Sequence, residues 1–402
     1  MTPFLLSLPW LGLLLWVLVV ARIPRELPAG GKTTPQARSA TSVSVIVPAR
    51  DEALNIVRCL RSLAASEHPD FEIIVVDDRS DDLTAELARS VPRGNARRIT
   101  VVDGEPLPDG WLGKPWACHQ GYRSARGRLL LFTDADTTHG RALMARAVAG
   151  LEEEDADLLT VAGRQLMETF WERLVQPQIF LLMLLRFPDF ERVARNDRWR
   201  DAIANGQFLL FRREAYEAIG GHRAVQDEVA EDLALAQHVK RAGLRLRVRS
   251  AERDLETRMY RSLAQLVEGW SKNIVMGGLQ AFPRWLRPLV PPVSFLGGVG
   301  LWLLAPSVLA LGAVGAGLGL PSDMVGSMGG GDLLVWATTV YAISAVLWSL
   351  WTRKMGGPFY LGPLYPLGAA VGSYIFLRAW LRGRSVEWKG RRYRLRPVSE
   401  RA

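Results

Sequence analysis

A run of four apolar residues at positions 129–132 is followed directly by two closely spaced aspartates, Asp134 and Asp136. An unbroken apolar run that ends at a polar stretch is typical of a strand buried on both faces, as in parallel sheets. Side chains alternate along an extended segment, so the two carboxylates are expected to point the same way. Adjacent carboxylates repel each other unless a cation lies between them, and Mg²⁺ and Mn²⁺ prefer oxygen ligands. The stretch indicates a divalent-metal site or, alternatively, an acidic turn that caps the next helix.

Short apolar strands alternate with helical patterns on both sides of this stretch. Strands are expected at 43–47, 73–76, 99–102 and 158–161. The alternation predicts an α/β domain with a parallel sheet, in which ligands bind outside the carboxyl ends of the strands. Three predicted strands end in polar groups, namely Ala49-Arg50-Asp51-Glu52, Asp77-Asp78 and Asp134-Ala135-Asp136. No Gly-x-Gly-x-x-Gly follows the first strand, which argues against a dinucleotide-dependent oxidoreductase.

Apolar segments at both ends of the chain predict a membrane protein. Residues 4–21 carry no charge and are long enough to cross a bilayer. They have neither a basic n-region nor a small-residue cleavage site, which favours an uncleaved anchor over a signal peptide. Three further apolar stretches, at 291–318, 333–351 and 359–380, predict a bundle of C-terminal transmembrane helices.

These patterns divide the chain into five predicted parts. They are an N-terminal transmembrane anchor (1–22), a linker (23–41), a cytoplasmic α/β domain (42–285), C-terminal membrane segments (286–381) and a basic tail (382–402). Basic residues flank the α/β domain, which predicts a multi-pass protein of the inner (cytoplasmic) cell membrane. Three further crossings would place the basic tail outside, so the number of C-terminal crossings stays open. The net charge of +9 lies beside membrane segments, where anionic lipid explains it better than nucleic acid.

Four short motifs follow one another along the chain, namely Val-Ile-Val-Pro-Ala-Arg-Asp-Glu (45–52), Val-Val-Asp-Asp-Arg-Ser-Asp-Asp (75–82), Thr-Asp-Ala-Asp (133–136) and Glu-Asp (231–232). Their order and rough spacing resemble those of the family 2 glycosyltransferases. Residues 43–275 thus resemble that family, which implies the GT-A fold, a Rossmann-like nucleotide-diphospho-sugar transferase domain. Further stretches are similar to membrane-bound transferases of carotenoid (4,4'-diaponeurosporenoate-type) and hopanoid pathways, namely 110–117, 170–173, 259–260, 269–273 and 388–393.

The resemblance implies a set of residues that bind the nucleotide sugar. They are Pro48, Ala49, Arg50, Glu52, Asp78, Lys114 and Asp134. Asp78 would accept a hydrogen bond from the uracil N–H, and Asp136, assisted by Asp134, would hold Mg²⁺ or Mn²⁺. The alternatives are helix capping for the acidic run that contains Asp78 and an ordinary solvated side chain for Lys114.

The resemblance also implies that Asp232, next to Glu231, is the general base that takes the proton of the acceptor. Direct attack assisted by Asp232 would invert the anomeric configuration. The alternative is a helix cap, because a carboxylate at a helix N-terminus normally has that role and a lowered pKa. On the acceptor side, Trp270 would stack on the sugar or lipid, or anchor at the membrane interface. His222 would orient the acceptor or have a structural role.

The sequence therefore predicts an inverting, metal-dependent glycosyltransferase. It would move one hexose from a UDP-sugar, most simply UDP-glucose, to a membrane isoprenoid lipid such as a carotenoid or hopanoid. The family's processive polysaccharide synthases carry Gln-x-x-Arg-Trp, which residues 265–270 lack, and this argues against polymer extrusion. The alternatives are a polyprenyl-phosphate or other glycolipid glycosyltransferase and, in a different class, a non-catalytic membrane scaffold.

Overall fold

The computed structural model of the 402-residue chain divides into two compact units. The structure describes residues 2–20, 25–27, 41–187, 189–280, 285–286, 288–317, 330–382, 385–388 and 391–394. The sheet unit comprises Ile23–Leu166, Asp189–Met259 and Arg384–Ala402; the helical unit comprises Met1–Arg22, Met167–Pro188 and Tyr260–Gly383. The predicted α/β domain (42–285) thus contains residues that the structure groups with the helical unit. Residues 28–40 of the predicted linker and 395–402 of the predicted tail lie outside the described residues.

The strands all belong to the sheet unit. In chain order they are β1 (Val43–Ala49), β2 (Phe71–Asp77), β3 (Ile99–Asp103), β4 (Leu129–Phe132), β5 (Thr137–His139), β6 (Leu158–Ala162), β7 (Arg164–Gln165), β8 (Leu209–Arg212), β9 (Leu246–Ser250), β10 (Leu255–Thr257), β11 (Ser385–Trp388) and β12 (Arg391–Arg394). Seven of them form one sheet in the order β3-β2-β1-β4-β8-β6-β9. A three-stranded sheet, β5-β10-β7, and the β11–β12 pair are separate.

The large sheet is mixed, which corrects the prediction of a parallel sheet. β1 pairs in parallel with β2 and β4, and β2 pairs in parallel with β3. β8, which the sequence did not predict, runs antiparallel to both of its neighbours, β4 and β6. The parallel half of the sheet still brings the carboxyl ends of β1, β2 and β4 to one edge, as expected.

The longest helices belong to the helical unit. In chain order the helices are α1 (Thr2–Val20), α2 (Ile56–Ala64), α3 (Thr84–Ser90), α4 (Gly113–Ser124), α5 (Leu143–Glu153), α6 (Phe170–Arg186), α7 (Phe190–Arg195), α8 (Arg213–Ala218), α9 (Glu231–Arg241), α10 (Leu263–Gln280), α11 (Val290–Gly298), α12 (Leu304–Gly317), α13 (Gly330–Lys354) and α14 (Tyr365–Arg382). Of these, α1, α6 and α10–α14 belong to the helical unit.

Helices cover both faces of the parallel strands, so β1 and β2 are apolar on both faces. On one face, Val45 and Val75 join the main core with α2, whose buried residues recur at helical spacing. On the other face, Ile74 and Val76 pack with Ala117 of α4. α4 lies so close to the sheet that a Cβ on its Gly121 would lie 2.5 Å from Ile46 Cγ2. This packing fixes the start of α4 relative to the strand ends.

The helical unit contains two helices, among the residues that the structure describes, that are long and apolar enough to cross a membrane. They are Pro292–Val314, which lies within the first predicted C-terminal stretch, and Gly331–Lys354, which contains the second. The apolar part of α1, Pro3–Val19, is shorter. α14, in the third stretch, carries Arg378 and Arg382, which pair with Glu268 at 2.6 Å. The predicted multi-pass topology remains a prediction.

Candidate active site

The loops that follow β1 and β2 are joined by hydrogen bonds at the carboxyl edge of the sheet. Ala49 lies opposite Asp77 in the parallel register, and the Asp78 N–H donates to the Ala49 carbonyl oxygen at 2.7 Å. Beyond the strands, the Asp51 N–H donates to Ser80 Oγ at 3.0 Å. The end of β1 and these loops contain five of the residues predicted for the nucleotide-sugar site, namely Pro48, Ala49, Arg50, Glu52 and Asp78.

Arg50 braces the second of these loops with its guanidinium group. Its Nη1 donates to the carbonyl oxygens of Asp78 at 2.7 Å and Arg79 at 2.8 Å. Only 9% of the Arg50 side chain is exposed. Because these donors point at backbone oxygens, the geometry favours a role for Arg50 in shaping the loop rather than in direct contact with a ligand.

Both loops hold a non-glycine residue in the left-handed region of backbone space. The φ angles are 51° at Asp51 and 57° at Arg79. Such residues are uncommon and concentrate at binding and active sites, where surrounding contacts offset their cost of about 1 kcal/mol or more. Here the contact between Asp51 and Ser80 and the Arg50 bonds to the loop carbonyls hold the two strained turns together.

The two aspartates after β2 have different environments. Asp77 accepts hydrogen bonds from the hydroxyl and the N–H of Ser80, at 2.6 and 3.2 Å, and so stabilises its own turn. Asp78 is buried, with 2% of its surface exposed. Asp77 therefore stabilises a turn and does not cap α3, whose N-cap residue is Leu83, whereas Asp78 remains the candidate for a base-binding carboxylate.

The loop after β3 packs against Asp77 and Asp78 through Gly104. The Gly104 N–H donates to the Asp77 carbonyl oxygen at 2.8 Å. A Cβ at this position would lie 2.6 Å from that oxygen and 3.1 Å from the Asp78 Cα. Only glycine allows so close an approach of two backbones, so Gly104 sets the position of Asp78.

Lys114 connects the aspartate pair after β4 with the acidic start of α9. Its Nζ lies 2.7 Å from Asp134 Oδ1 and 2.7 Å from Glu231 Oε1. The solvated-lysine alternative does not describe this position, because the ammonium group bridges two carboxylates and only 26% of the side chain is exposed. The structure thus brings together three predicted site residues from distant parts of the chain.

These carboxylates offset the unfavourable position of the Lys114 cation at the start of α4. A cation in the first turn of a helix is unfavourable because the helix dipole is positive there. Burial lowers the pKa of Lys114, but the negative charges of Asp134, Glu231 and Asp232 outweigh it and raise that pKa well above its ordinary value. Lys114 is therefore a permanent cation at neutral pH.

Asp136 has no such partner within the described residues. Its Oδ1 is buried and accepts no hydrogen bond there. Burial raises the pKa of Asp136 to about 8, and the negative charges of Asp134 and Glu52 add to that effect. A cation beside this carboxylate would relieve both effects, so the aspartate pair fits a divalent metal ion. The described part of the chain contains no preformed group of three or more His, Cys, Asp or Glu ligands.

A buried polar network supports the loop that carries the two aspartates. His139 Nε2 lies 3.0 Å from Thr133 Oγ1 and 2.9 Å from Thr137 Oγ1. Burial lowers the pKa of His139 to about 3, so the imidazole is neutral. Thr137 Oγ1 also donates to the Asp134 carbonyl oxygen at 2.7 Å, which fixes the backbone between the two carboxylates.

Asp232 lies in the first turn of α9 and accepts two backbone hydrogen bonds. The Gly206 N–H donates to Oδ2 at 2.8 Å, and the Leu233 N–H donates to Oδ1 at 2.7 Å. The N-cap residue of α9 is Ala230, so Asp232 does not occupy the cap position. The helix-cap alternative therefore does not account for this carboxylate.

The pKa of Asp232 is raised to about 6. Burial is the main cause, and the charge of Glu231 adds to it, while Lys114 and the two backbone N–H groups act in the opposite direction. A carboxylate with a pKa near 6 is ionised at neutral pH and is still basic enough to accept a proton from a reacting group. The geometry and charge of Asp232 thus fit a general base.

His222 and Trp270 lie in apolar packing. His222 is 1% exposed, its Nδ1 is 2.8 Å from the Tyr216 hydroxyl, and burial lowers its pKa to about 3. Trp270 belongs to the helical unit, is 6% exposed, and packs against Phe180 and Tyr260. The position of His222 favours its structural alternative, whereas the burial of Trp270 against two aromatic rings was predicted by neither of its two expected roles.

The structure adds Gly104 to the site, a residue that the sequence analysis missed. The Asn205-Gly206 pair was visible in the sequence as a pair that either lines the acceptor loop or makes a turn. Thr133 belongs to the Thr-Asp-Ala-Asp motif. Gly104 gave no signal, because its role depends on a contact with a strand that ends 27 residues earlier, at Asp77.

Comparison with known proteins gives three findings. Residues 44–220 match the family model described as Glycosyl transferase family 2. The chain is 29% identical over 362 residues to the 4,4'-diaponeurosporenoate glycosyltransferase of Staphylococcus aureus strain MRSA252, covering 88% of each protein. Among solved structures it is similar to the mannosyltransferase PcManGT from Pyrobaculum calidifontis in complex with GDP-Man and Mn²⁺, at 20% identity and a TM-score of 0.49, covering 92% of this chain and 94% of that one.

Proposed function

We propose that this glycosyltransferase, whose residues 44–220 form a family 2 domain, transfers one hexose from a UDP-sugar to a membrane isoprenoid lipid. UDP-glucose is the proposed donor, and an O–H of a carotenoid or hopanoid is the proposed acceptor. The observation that carries the proposal is the bridge from Asp134 through Lys114 to Glu231, with Asp232 beside it. It joins a candidate diphosphate site to a candidate base in one cluster.

The loops after β1, β2 and β3 are the proposed nucleoside pocket of a GT-A domain. Asp78 would accept a hydrogen bond from the imide N–H of uracil, which is the donor that a carboxylate can match. Gly104 and Arg50 fix the backbone around Asp78, so the carboxylate is held before the nucleotide arrives. Pro48, Ala49 and Glu52 would line the same pocket.

Asp136, together with Asp134, would hold a divalent Mg²⁺ or Mn²⁺ ion. When bound, this ion would supply positive charge to the leaving diphosphate. The buried, unbonded Oδ1 of Asp136 supports this role, because Mg²⁺ typically takes one or two carboxylates and completes its shell with water and substrate phosphate. Lys114 would contribute a second positive charge beside the diphosphate.

Asp232 would take the proton from the acceptor O–H as the acceptor oxygen attacks the anomeric carbon. The bond from the anomeric carbon to the diphosphate oxygen breaks while the bond to the acceptor oxygen forms, so the sugar inverts its configuration. Glu231 is held by Lys114 and would keep that ammonium group near the transferring sugar. Its side chain is 6% exposed, which leaves the proton transfer to Asp232.

The lipid acceptor is supported by the composition of the helical unit and by the name of the relative. Two described helices are long and apolar enough to cross a membrane, so we propose a multi-pass protein of the inner cell membrane with a cytoplasmic catalytic domain. The relative is named for 4,4'-diaponeurosporenoate, which supports a carotenoid-type acceptor. An acid of this kind in an apolar site keeps its proton to higher pH, which leaves an O–H for Asp232 to deprotonate.

The proposal is tested with the full-length protein in lipid nanodiscs. Radiolabelled UDP-glucose and Mn²⁺ are supplied with a carotenoid acid, a hydroxylated hopanoid or a polyprenyl phosphate, and the lipids are analysed by mass spectrometry. The proposal expects one hexose on the carotenoid or the hopanoid, with inverted configuration by NMR. Hexose on the polyprenyl phosphate alone would show a different acceptor class. No transfer, together with no binding of UDP, would indicate a non-catalytic scaffold.

A further inference from the structure

Hydrogen bonds of the Asn205 backbone and side chain hold the turn that precedes β8 in place. The Asn205 N–H donates to Thr160 Oγ1 at 2.9 Å, and the side-chain Nδ2 donates to the Val161 carbonyl oxygen at 3.0 Å. The side-chain Oδ1 accepts from the Gln207 N–H at 3.2 Å. Each polar group of the Asn205 side chain is therefore used to fix the turn to β6 or to close it.

These hydrogen bonds set the direction of the backbone N–H group of Gly206. Gly206 follows Asn205, and its N–H points at Asp232 Oδ2 at 2.8 Å. A Cβ on Gly206 would lie 3.2 Å from that oxygen and 3.1 Å from Lys114 Nζ. The glycine backbone thus fills the space between the candidate base and the ammonium group, and a side chain there would have to push one of them away.

The same turn is attached to the loop of the aspartate pair. Thr133 Oγ1 donates to the Gln207 carbonyl oxygen at 2.7 Å. The Gln207 side-chain oxygen accepts from Gln165 at 3.1 Å and from Asn205 at 3.3 Å. The turn at 205–207 is therefore bonded on one side to the residue before Asp134 and on the other side to Asp232.

We infer that Asn205 is a positioning residue for the reaction, because its side chain fixes the turn that aims the Gly206 N–H at the base Asp232. The inference rests on the proposed role of Asp232. In this inference, the Gly206 hydrogen bond stabilises the ionised carboxylate of Asp232 and orients its lone pairs toward the acceptor. The remaining charged groups that act on Asp232 are Glu231 of α9 and Lys114 of α4.

The expected direction of the change in the Asp232 pKa follows from the hydrogen bond that the Gly206 N–H donates to Asp232. The bond favours the charged form and so lowers the pKa of Asp232 relative to the same burial without it. When Asn205 is shortened to alanine, the turn keeps its bonds to Thr160 and Thr133 but loses the side-chain bonds to Val161 and Gln207, so the Gly206 N–H is held less firmly on Oδ2. The pKa of Asp232 then rises, and the acidic limb of the pH–rate profile moves to higher pH.

The experiment measures kcat, KM for UDP-glucose and the pH profile for the full-length Asn205→Ala and Gly206→Ala variants. The matched control is Asn95→Ala, which removes another side-chain bond to a backbone carbonyl, from Asn95 Nδ2 to Ser66 O at 3.0 Å, in the same unit. We expect about a tenfold loss of kcat with little change in KM, and an acidic limb shifted upward by about one pH unit, for both turn variants. The Asn95→Ala control is expected to keep the acidic limb of the wild-type pH–rate profile.

Two outcomes separate this inference from the proposed function. If Asp232→Asn remains active, the proposed base is wrong, whatever the turn variants do. If Asp232→Asn is inactive but Asn205→Ala keeps the wild-type limb while losing thermal stability as Asn95→Ala does, the turn is only structural and the inference is overturned. The pH profiles are measured only on variants that thermal melting has first shown to be folded.

Discussion

The ammonium nitrogen of Lys114 lies 2.7 Å from Oδ1 of Asp134, so the first aspartate of the pair after β4 is neutralised by the protein itself. The second, Asp136, keeps a buried oxygen without a hydrogen bond in the described structure. Two carboxylates that are neighbours in sequence thus have different electrostatic roles. Asp134 uses its Oδ1 in an internal ion-pair bridge, and Asp136 has a buried oxygen available for an external cation.

Replacing Lys114 with methionine leaves two carboxylates without their shared cation. Because one partner of a charged pair is removed, we expect a loss of about 1–3 kcal/mol in the free energy of unfolding. Mn²⁺ should then raise the melting temperature more in Lys114→Met than in the wild type. Lys240→Met is the control, because Lys240 Nζ donates to the Asn196 carbonyl oxygen at 2.8 Å and to its side-chain oxygen. Equal Mn²⁺ shifts in all three proteins would contradict the bridge.

Replacing Asp136 with asparagine removes the buried carboxyl group and the proposed metal ligand together. We expect the metal-free variant to melt at or above the wild-type temperature at neutral pH, because the wild type must take up a proton at Asp136, whose pKa is raised to about 8, in order to fold. The wild type should gain about 2.7 kcal/mol of stability from Mn²⁺ at about a hundredfold excess over Kd, and the variant should gain almost nothing. Differential scanning fluorimetry with and without Mn²⁺ measures both. A full Mn²⁺ response in the variant would remove Asp136 from the metal site.

The pH dependence of turnover should follow the ionisation of Asp232. Its pKa is raised to about 6, and a general base acts only in its ionised form. We therefore expect kcat to rise about tenfold per pH unit below 6 and to reach a plateau above it. Initial rates at saturating UDP-glucose between pH 4.5 and about 8.5 test this expectation. A rate that falls as pH rises through 6 would require an acid in place of a base.

Gly104→Ala should weaken binding of the nucleotide. The new Cβ would lie 2.6 Å from the Asp77 carbonyl oxygen, so the backbone next to Asp78 must move. We expect a loss of about tenfold or more in UDP affinity by isothermal titration, because displacing a buried hydrogen-bond partner typically costs 1–3 kcal/mol. Gly297→Ala, where a Cβ meets nothing within 4 Å, is the control. Unchanged UDP affinity in Gly104→Ala would contradict a nucleoside pocket that includes Asp78.

The sequence was sufficient to locate the parallel strands and the acidic residues at their ends. β1, β2, β3, β4 and β6 lie at or within two residues of the predicted positions, because buried parallel strands are continuous apolar runs. The Asp-x-Asp stretch after β4 and the Glu-Asp pair at the start of α9 carry their signal in residue type and spacing. These features are local, so one sequence reveals them.

Other features depend on contacts between distant segments, which the sequence did not reveal. β8 is only four residues long, and nothing in Leu209–Arg212 indicates that it pairs antiparallel between β4 and β6. The bridging position of Lys114 follows from the packing of α4 on the sheet. The grouping of Met167–Pro188 with the helical unit is likewise a matter of tertiary contacts. For His222, the partner Tyr216 lies nearby in sequence, but burial decides its role.

The central claim is that Asp232 takes a proton from a lipid acceptor while the sugar leaves its diphosphate. The most direct measurement compares hexose transfer from UDP-glucose, and UDP binding, in the wild type, in Asp232→Asn and in Asp197→Asn, an exposed aspartate of the same unit. We predict that Asp232→Asn binds UDP with wild-type affinity but loses about 10²–10⁴-fold in kcat, whereas Asp197→Asn is unchanged. Wild-type turnover in Asp232→Asn would contradict the account.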